Sequence, residues 1–543
     1  MRTMLLVALA SAAVLVQASD VQGQEPYDHG AHGHGLGKLG KVTFPVSCTD
    51  EAEVRFEQAM AVLHSFWWEE GDAAFSRVLE ADPDCAMAHW GVAMNAWGNP
   101  FAGGPSEAGM ARGSEAAAMA SSRFAETPRE RGFIAAAAAL YRDAGKTSNA
   151  ARLQAYADTM ARMYRDFPKD TEVSIFYALS LIATAPKTDT TFAQQKRAAA
   201  ILNPLFAKYP QHPGLAHYII HSTDSPQLAR LGLSAARRYA RIAPAAPHAQ
   251  HMPSHIFIRL GYWDENVASN RVAFQAGVDN AEAKGVPPAG EVLHALDYAV
   301  YGYLQRGQDS AARATVEIGK SAGVPEGKSL VGDYNRTAMA ARIPMETGDW
   351  KAAAEFPVAE MQGVGTQAML SRFTRAIGSA RSGDTAAARA EVAELDSIAA
   401  QIAEKKEPYW ARVAAIKRDA ARAWLMFAAG DTAGALALAR EAADSEEVTD
   451  KHPVTPAELL PARELLGDML LEAKQYKEAG EAYRATLVRE PGRARSLFGS
   501  ARAAELAGDR AKAKAAYREF LKLMSKADGG RPELATARKM ASP

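Results

Sequence analysis

LLGDMLLEAKQYKEAGEAYRATLVREP, residues 465–491, is echoed by SARAAELAGDRAKAKAAYREFLKLMS, residues 500–525, and this echo decides the fold. Gly467 aligns with Ala501, Ala479 with Ala513, Tyr483 with Tyr517 and Leu487 with Leu521, each pair 34 residues apart. Apolar positions in both copies follow a helical period, and neither copy alternates as a strand would. Small residues at 467 and 479 let two antiparallel helices approach, Tyr483 fills the gap to the next hairpin, and Pro491 closes the unit. One such hairpin cannot bury its own apolar face, so neighbours must stack on it to make a core.

The period, the small residues and the aromatic that follows them resemble the tetratricopeptide repeat. Upstream the same turn signature recurs as GYWDE at 261, GQDSA at 307, GDWKA at 348, GDTAA at 383 and GDTAG at 430, and again as GDRAK at 508. Each glycine can end one helix in a left-handed conformation, and the following Asp can cap the next. Intervals up to Gly430 run from 35 to 47 residues, so the hairpins are unequal in length. FEQAMAVLHSFWWEEGDAAFSRVLEADPDCAMAHWGVAMNAW, 56–97, carries the pattern near the N-terminus, with Phe75 at the aromatic position and Pro83 at the closing one. The expected fold is all-α, an α-solenoid of irregular tetratricopeptide-like helical hairpins.

The chain starts like a secretory leader. Arg2 is the positive start, Leu5 to Val16 is an apolar run too short to span a bilayer, and Val16-Gln17-Ala18 suits cleavage. The expected organisation is a leader over 1–18, or as far as 23, then a flexible His- and Gly-rich segment over 19–45 that includes His29, His32 and His34. A helical array over 46–284 follows, then a second over 291–525 and a tail over 526–543. Residues 285–290, GVPPAG, read as the linker, and 99–128 as a loop or lid. An exported, periplasmic or secreted chain with two cysteines favours a Cys48–Cys85 disulfide over two buried thiols. A net charge of −1 offers no basis for binding nucleic acid or an anionic membrane.

Five of the 13 histidines lie between His217 and His255, in AHYIIHSTDSP and APHAQHMPSHIFIRLG. Packing explains a solenoid without any histidine, so clustered imidazoles point to a ligand, a metal or a proton. His217 and His221 are four apart and share a helix face. The reading puts His248 and His251 on a loop and His255 in the first turn of a helix, which disfavours a positive charge there. A site of His217, His221, His248, His251 and His255 completed by Asp224 would suit zinc or copper rather than calcium or magnesium. His294 and Asp297, three apart on another helix, are placed behind it as outer support. The competing reading is a purely structural cluster. His64 and His89, among Trp67, Trp68, Trp90 and Trp97, read as core, and Glu69 and Glu70 as a solvated hairpin end able to serve His64 only if they face it.

HYIIH, SAARRYARIAP and PHAQHMPSHIFIRLGYWDE, with HSFWWEEGDAAF, DPDCAMAHWGVAM and LHALDYAVYGYLQ, resemble a group of exported bacterial tetratricopeptide-repeat proteins. That resemblance implies the fold and export, and carries no mechanism. Tetratricopeptide proteins in general bind a protein or peptide in their concave groove. Here the positions expected on that face, Asp468, Glu472, Arg495, Arg502 and Glu505, are of mixed sign and form no basic cradle. The sequence contains no phosphate loop, nucleophile elbow or HExxH. The expected function is a binding scaffold with a bound transition metal as an option. The alternative is a zinc-, copper- or iron-dependent hydrolase or oxidase built where the central hairpins meet.

Overall fold

The structure is a computed structural model describing residues 36–101, 104–143, 145–186 and 188–542. The leader and His29, His32 and His34 lie outside the described residues. Gly37–Pro543 forms one compact unit. Among the described residues there are helices from Asp50–His64 to Pro532–Ala541 and no strand. Each helix packs on its neighbours in sequence, and hairpin stacks on hairpin as a tetratricopeptide-like solenoid.

The repeat logic is realised atom by atom. Tyr483 is 1% exposed, and a Cβ at Gly467 or at Gly499 of the next hairpin would strike its ring at 2.9 and 2.4 Å. All six turn glycines, 261, 307, 348, 383, 430 and 508, take positive φ. Asp349, Asp384, Asp431 and Asp509 cap the helices that follow by accepting a backbone N–H. Cys48 and Cys85 are bonded, tying the start of the first hairpin to the N-terminus of the helix Ala86–Trp97.

Four boundaries differ from the sequence reading. The stretch 99–128 contains the helix Glu107–Ser122, because its Ala-rich half buries Ala116, Ala117 and Ala120. In the 19–45 segment, Leu39, Val42 and Phe44 are buried, and Phe44 joins an aromatic core with Phe56, Trp90 and Phe133. The 526–543 tail holds the helix Pro532–Ala541, packed on Arg510–Leu523. Residues 285–290 turn between two helices, Trp263–Lys284 and Glu291–Gln305, that pack on each other.

Distant segments return to the centre. The first helix, Asp50–His64, packs on Pro213–Thr223. The irregular stretch 448–461 lies against Glu291–Gln305, where Tyr298 Oη reaches the carbonyls of Pro453 and Thr455 at 3.1 and 3.2 Å. Arg342 is wholly buried, pairs with Asp297 at 2.6 Å and donates to Ala457 O and Thr455 Oγ1. Trp263 Nε1 donates to Gly492 O. Among the described residues, no helix is long and apolar enough to cross a membrane.

Candidate metal centre

Four helical segments carry the histidines. Pro213–Thr223 holds His217 and His221, capped by His212, whose Nδ1 accepts from Leu215 N. Pro247–His251 and Pro253–Leu260 hold His248, His251 and His255. Met252 between them is in the right-handed helical region, so 248, 251 and 255 fall on one helical face at i, i+3 and i+7. The expected loop at His248 and His251 is therefore helix. Pro253 disfavours helix in the residue before it, but at the first position of the next segment its missing N–H costs nothing. Glu291–Gln305 contributes His294.

These rings gather into two trios. His217, His221 and His248 form one, and His251, His255 and His294 the other, with one nitrogen from each member lying within 4.8 Å of the others in its trio. In the first, His217 Nε2 is 3.0 Å from His221 Nε2 and 3.2 Å from His248 Nε2. In the second, His251 Nε2 is 3.0 Å from His255 Nε2. The trios adjoin, with the rings of His248 and His251 centred 6.2 Å apart and those of His221 and His255 6.4 Å apart.

The other ring nitrogens assign the protons. His251 Nδ1 is 2.6 Å from Asn270 Oδ1, and Asn270 Nδ2 is already committed to Asn266, so His251 Nδ1–H donates. His255 Nδ1–H donates to Asp224 Oδ2 at 2.9 Å, His294 Nδ1–H to Val454 O at 3.0 Å, and His217 Nδ1–H to His64 O at 2.7 Å. In neutral rings, then, His251 and His255 aim two lone pairs at each other across 3.0 Å with no hydrogen between them. Such a contact repels unless a cation lies between the rings.

A proton is a poor candidate for that cation. Burial holds His217, His248, His251 and His294 well below the ordinary histidine range, with neighbouring histidines adding to the effect. His255 is also lowered by burial, because Asp224 beside it is already offset by Arg259 at 2.8 Å and Lys451 at 3.5 Å. Burial pushes the Asp224 carboxyl up, yet Lys451, Arg259 and His255 together hold it well below its usual range. The same burial lowers Lys451 to about 8. Neutral imidazoles that donate from Nδ1 are the form that ligates a metal through Nε2.

A third group, His64, Glu172 and His212, makes the contrast. His212 Nδ1 accepts from Leu215 N and His64 Nδ1 faces Tyr218 Oη, so both Nε2–H groups donate to Glu172, at 2.7 and 3.0 Å. Every proton there has an acceptor, and the cluster closes without an ion.

The expected residues are thus redistributed. Asp224 stands behind His255 rather than among the nitrogens that gather in the trios. His294, expected behind the site, belongs to the second trio, while Asp297 faces Arg342. Glu70 pairs with Lys284 instead of His64. Aromatic rings pack round both trios. Phe66, at φ 51, lies 4.4 Å from His217 and stacks on His248, Phe101 lies 4.4 Å from His221, and Tyr298 is within 5.1 Å of all three rings of the second trio. Asn270, Glu172 and the Val454 carbonyl escaped the sequence reading, because no spacing links residues so far apart in the chain.

A cavity of about 310 Å³ opens onto the trios, lined by His221, His248, His251, His255 and His294. No family model and no curated protein matches the chain. Among solved structures it is similar to one titled the crystal structure of the yeast Tom70, at 11% identity over 91% of this chain and 88% of that one, with a TM-score of 0.26. At that score the overlay adds nothing to the helical architecture described above.

Proposed function

We propose that the two histidine trios bind a pair of transition-metal ions, copper by preference, and that the protein is a copper-dependent oxidoreductase acting on a small molecule in the adjoining cavity. The observation that carries this reading is the His251–His255 contact, two buried lone pairs 3.0 Å apart with both Nδ1 protons committed elsewhere. An all-imidazole donor set suits copper, zinc or iron, and copper stands highest in affinity for nitrogen ligands. Three protein ligands would leave a coordination position open, and five of the six rings line the cavity. When bound, the ions would supply one-electron chemistry. The chain's part is to hold six rings, fix the tautomers of His251, His255, His217 and His294 through Asn270, Asp224 and two backbone carbonyls, and pack Phe66 and Phe101 against the first trio.

The solenoid is the frame for this centre rather than a peptide cradle. Asp468, Glu472, Arg495, Arg502 and Glu505 are spent on ion pairs, among them Arg381–Asp468, Arg381–Glu472, Arg495–Asp468 and Arg502–Glu505. A protein partner elsewhere on the surface remains compatible with the fold. Export belongs to the same proposal. It is supported by the disulfide and by the likeness of the sequence to exported tetratricopeptide proteins.

Untagged protein titrated with copper should bind about two equivalents per chain. His217→Ala and His251→Ala should each remove one equivalent, and the double variant both, with helical circular dichroism unchanged. Wild-type protein that takes up no copper, zinc or iron would refute the centre.

A further inference from the structure

The cavity has a definite chemical character. At about 310 Å³ it is roughly twice the ~150 Å³ that holds benzene in an engineered apolar cavity. Ala273, Gly277 and Ala281, spaced by four on Trp263–Lys284, form a wall with nothing beyond Cβ, and Phe66, Trp68 and Phe101 supply aromatic surface. Rings packed against rings gain free energy beyond that of the area they bury. The lining therefore favours a single substituted aromatic ring.

Two polar features narrow the choice. Trp67 lines the cavity at 9% exposure, and its buried Nε1–H has no acceptor among the described residues. A buried donor left unpaired costs free energy that a ligand oxygen would recover. Glu69 and Glu291 also line the space, and the one lysine there, Lys284, is paired with Glu70 at 2.7 Å. Glu291 is exposed at the edge of this space and lies close enough to Glu69 for the two carboxylates to repel each other. A ligand carboxylate would meet repulsion here, and an ammonium would relieve it.

We propose that the cavity binds a small phenolic amine, one aromatic ring with a hydroxyl oxygen for Trp67 Nε1–H and a protonated amino arm toward Glu69 and Glu291. This names the substrate class of the centre proposed above and rests on that reading for its chemistry. The binding itself involves no metal.

Tyramine and 4-hydroxyphenylpropionate, alike in ring and hydroxyl but opposite in charge, separate the possibilities. Calorimetric titration of metal-free protein, where no bound cation offsets the two carboxylates, should show one tyramine site, with the acid binding on the order of tenfold more weakly. Glu291→Gln should bring the two affinities together. Ala281→Leu, filling the cavity, should abolish tyramine binding while copper stoichiometry and helicity stay as in the wild type. No tyramine binding, equal or tighter binding of the acid, or unaltered binding in a folded Ala281→Leu protein would each overturn the proposal. Should Ala281→Leu not fold, the charge preference and its loss in Glu291→Gln still decide. Copper uptake is measured separately, so failure of the ligand class with two coppers bound leaves the metal reading standing, and the reverse result removes only the metal.

Discussion

Acidifying the metal-free protein from about pH 7.5 to about pH 5.5 should remove a large part of its stability, and the size of the loss follows from the buried rings. His217, His248, His251 and His294 are held well below the ordinary value of 6.5, and His255 below it by less. Between the folded and unfolded values the unfolded chain binds a proton that the folded chain refuses. Stability from these groups is therefore complete above the unfolded value and falls as the pH drops below it. Over this interval each strongly lowered ring costs about 1.4 kcal/mol. With a smaller share from His255, the total is about 6 kcal/mol, against the roughly 5–15 kcal/mol that typically holds a domain together. Asp224 and Glu172 have lowered values, and their contribution is lost only in more acid solution, whereas Glu446, which burial raises to about 8, takes up its proton within this interval and returns roughly 2–3 kcal/mol, leaving a net loss of about 3–4 kcal/mol. Urea unfolding followed by circular dichroism, with chelator present at each pH, measures the effect. A change of less than about 2 kcal/mol would refute the claim that the rings are buried and neutral. Copper-loaded protein should be more stable than metal-free protein at both pH values, because an ion bound only by the folded chain adds its binding free energy to the fold.

Arg342→Met would leave Asp297 buried without its partner, and an uncompensated buried charge costs about 3–5 kcal/mol. An unfolding midpoint close to that of the wild type would contradict the assignment of this pair as the tie between Glu291–Gln305 and residues 455–457. Tyr483→Ala should cost about 3–5 kcal/mol by opening a hole between Gly467 and Gly499. Tyr483→Phe should cost only about 1 kcal/mol, for the hydrogen bond to Asp468, and similar losses from both variants would refute the packing account. Thiol titration of denatured, unreduced protein should find no free cysteine, and reduction should lower stability by about 4 kcal/mol for a bridge spanning 37 residues. Two titratable thiols would reject the bridge.

Much of the centre was legible in the sequence. His217 and His221 are paired by helical spacing alone, and the density of histidine across 217–255 marked the region. The second trio was only partly visible. His251 and His255 are four apart, but Pro253 between them argues for a break, and the chain instead passes through it as two helical segments joined at Met252. The three-residue spacing of His294 and Asp297 reads as outer support behind the site. Arg342, brought up from 45 residues away, takes that carboxylate instead.

The sequence by itself determined the helical hairpins, their turns and caps, and the tyrosine that wedges between them, because each depends on contacts within about one repeat. It also marked which rings would cluster. Tertiary structure alone decided that the imidazoles divide three and three, which nitrogen of each faces the site, and that a cavity meets them. Those outcomes depend on Asn270, Asp224, the carbonyls of His64 and Val454, and the wall from Ala273 to Ala281. A tautomer is set by whichever acceptor the fold brings to Nδ1, and no local pattern in the chain encodes which residue that will be.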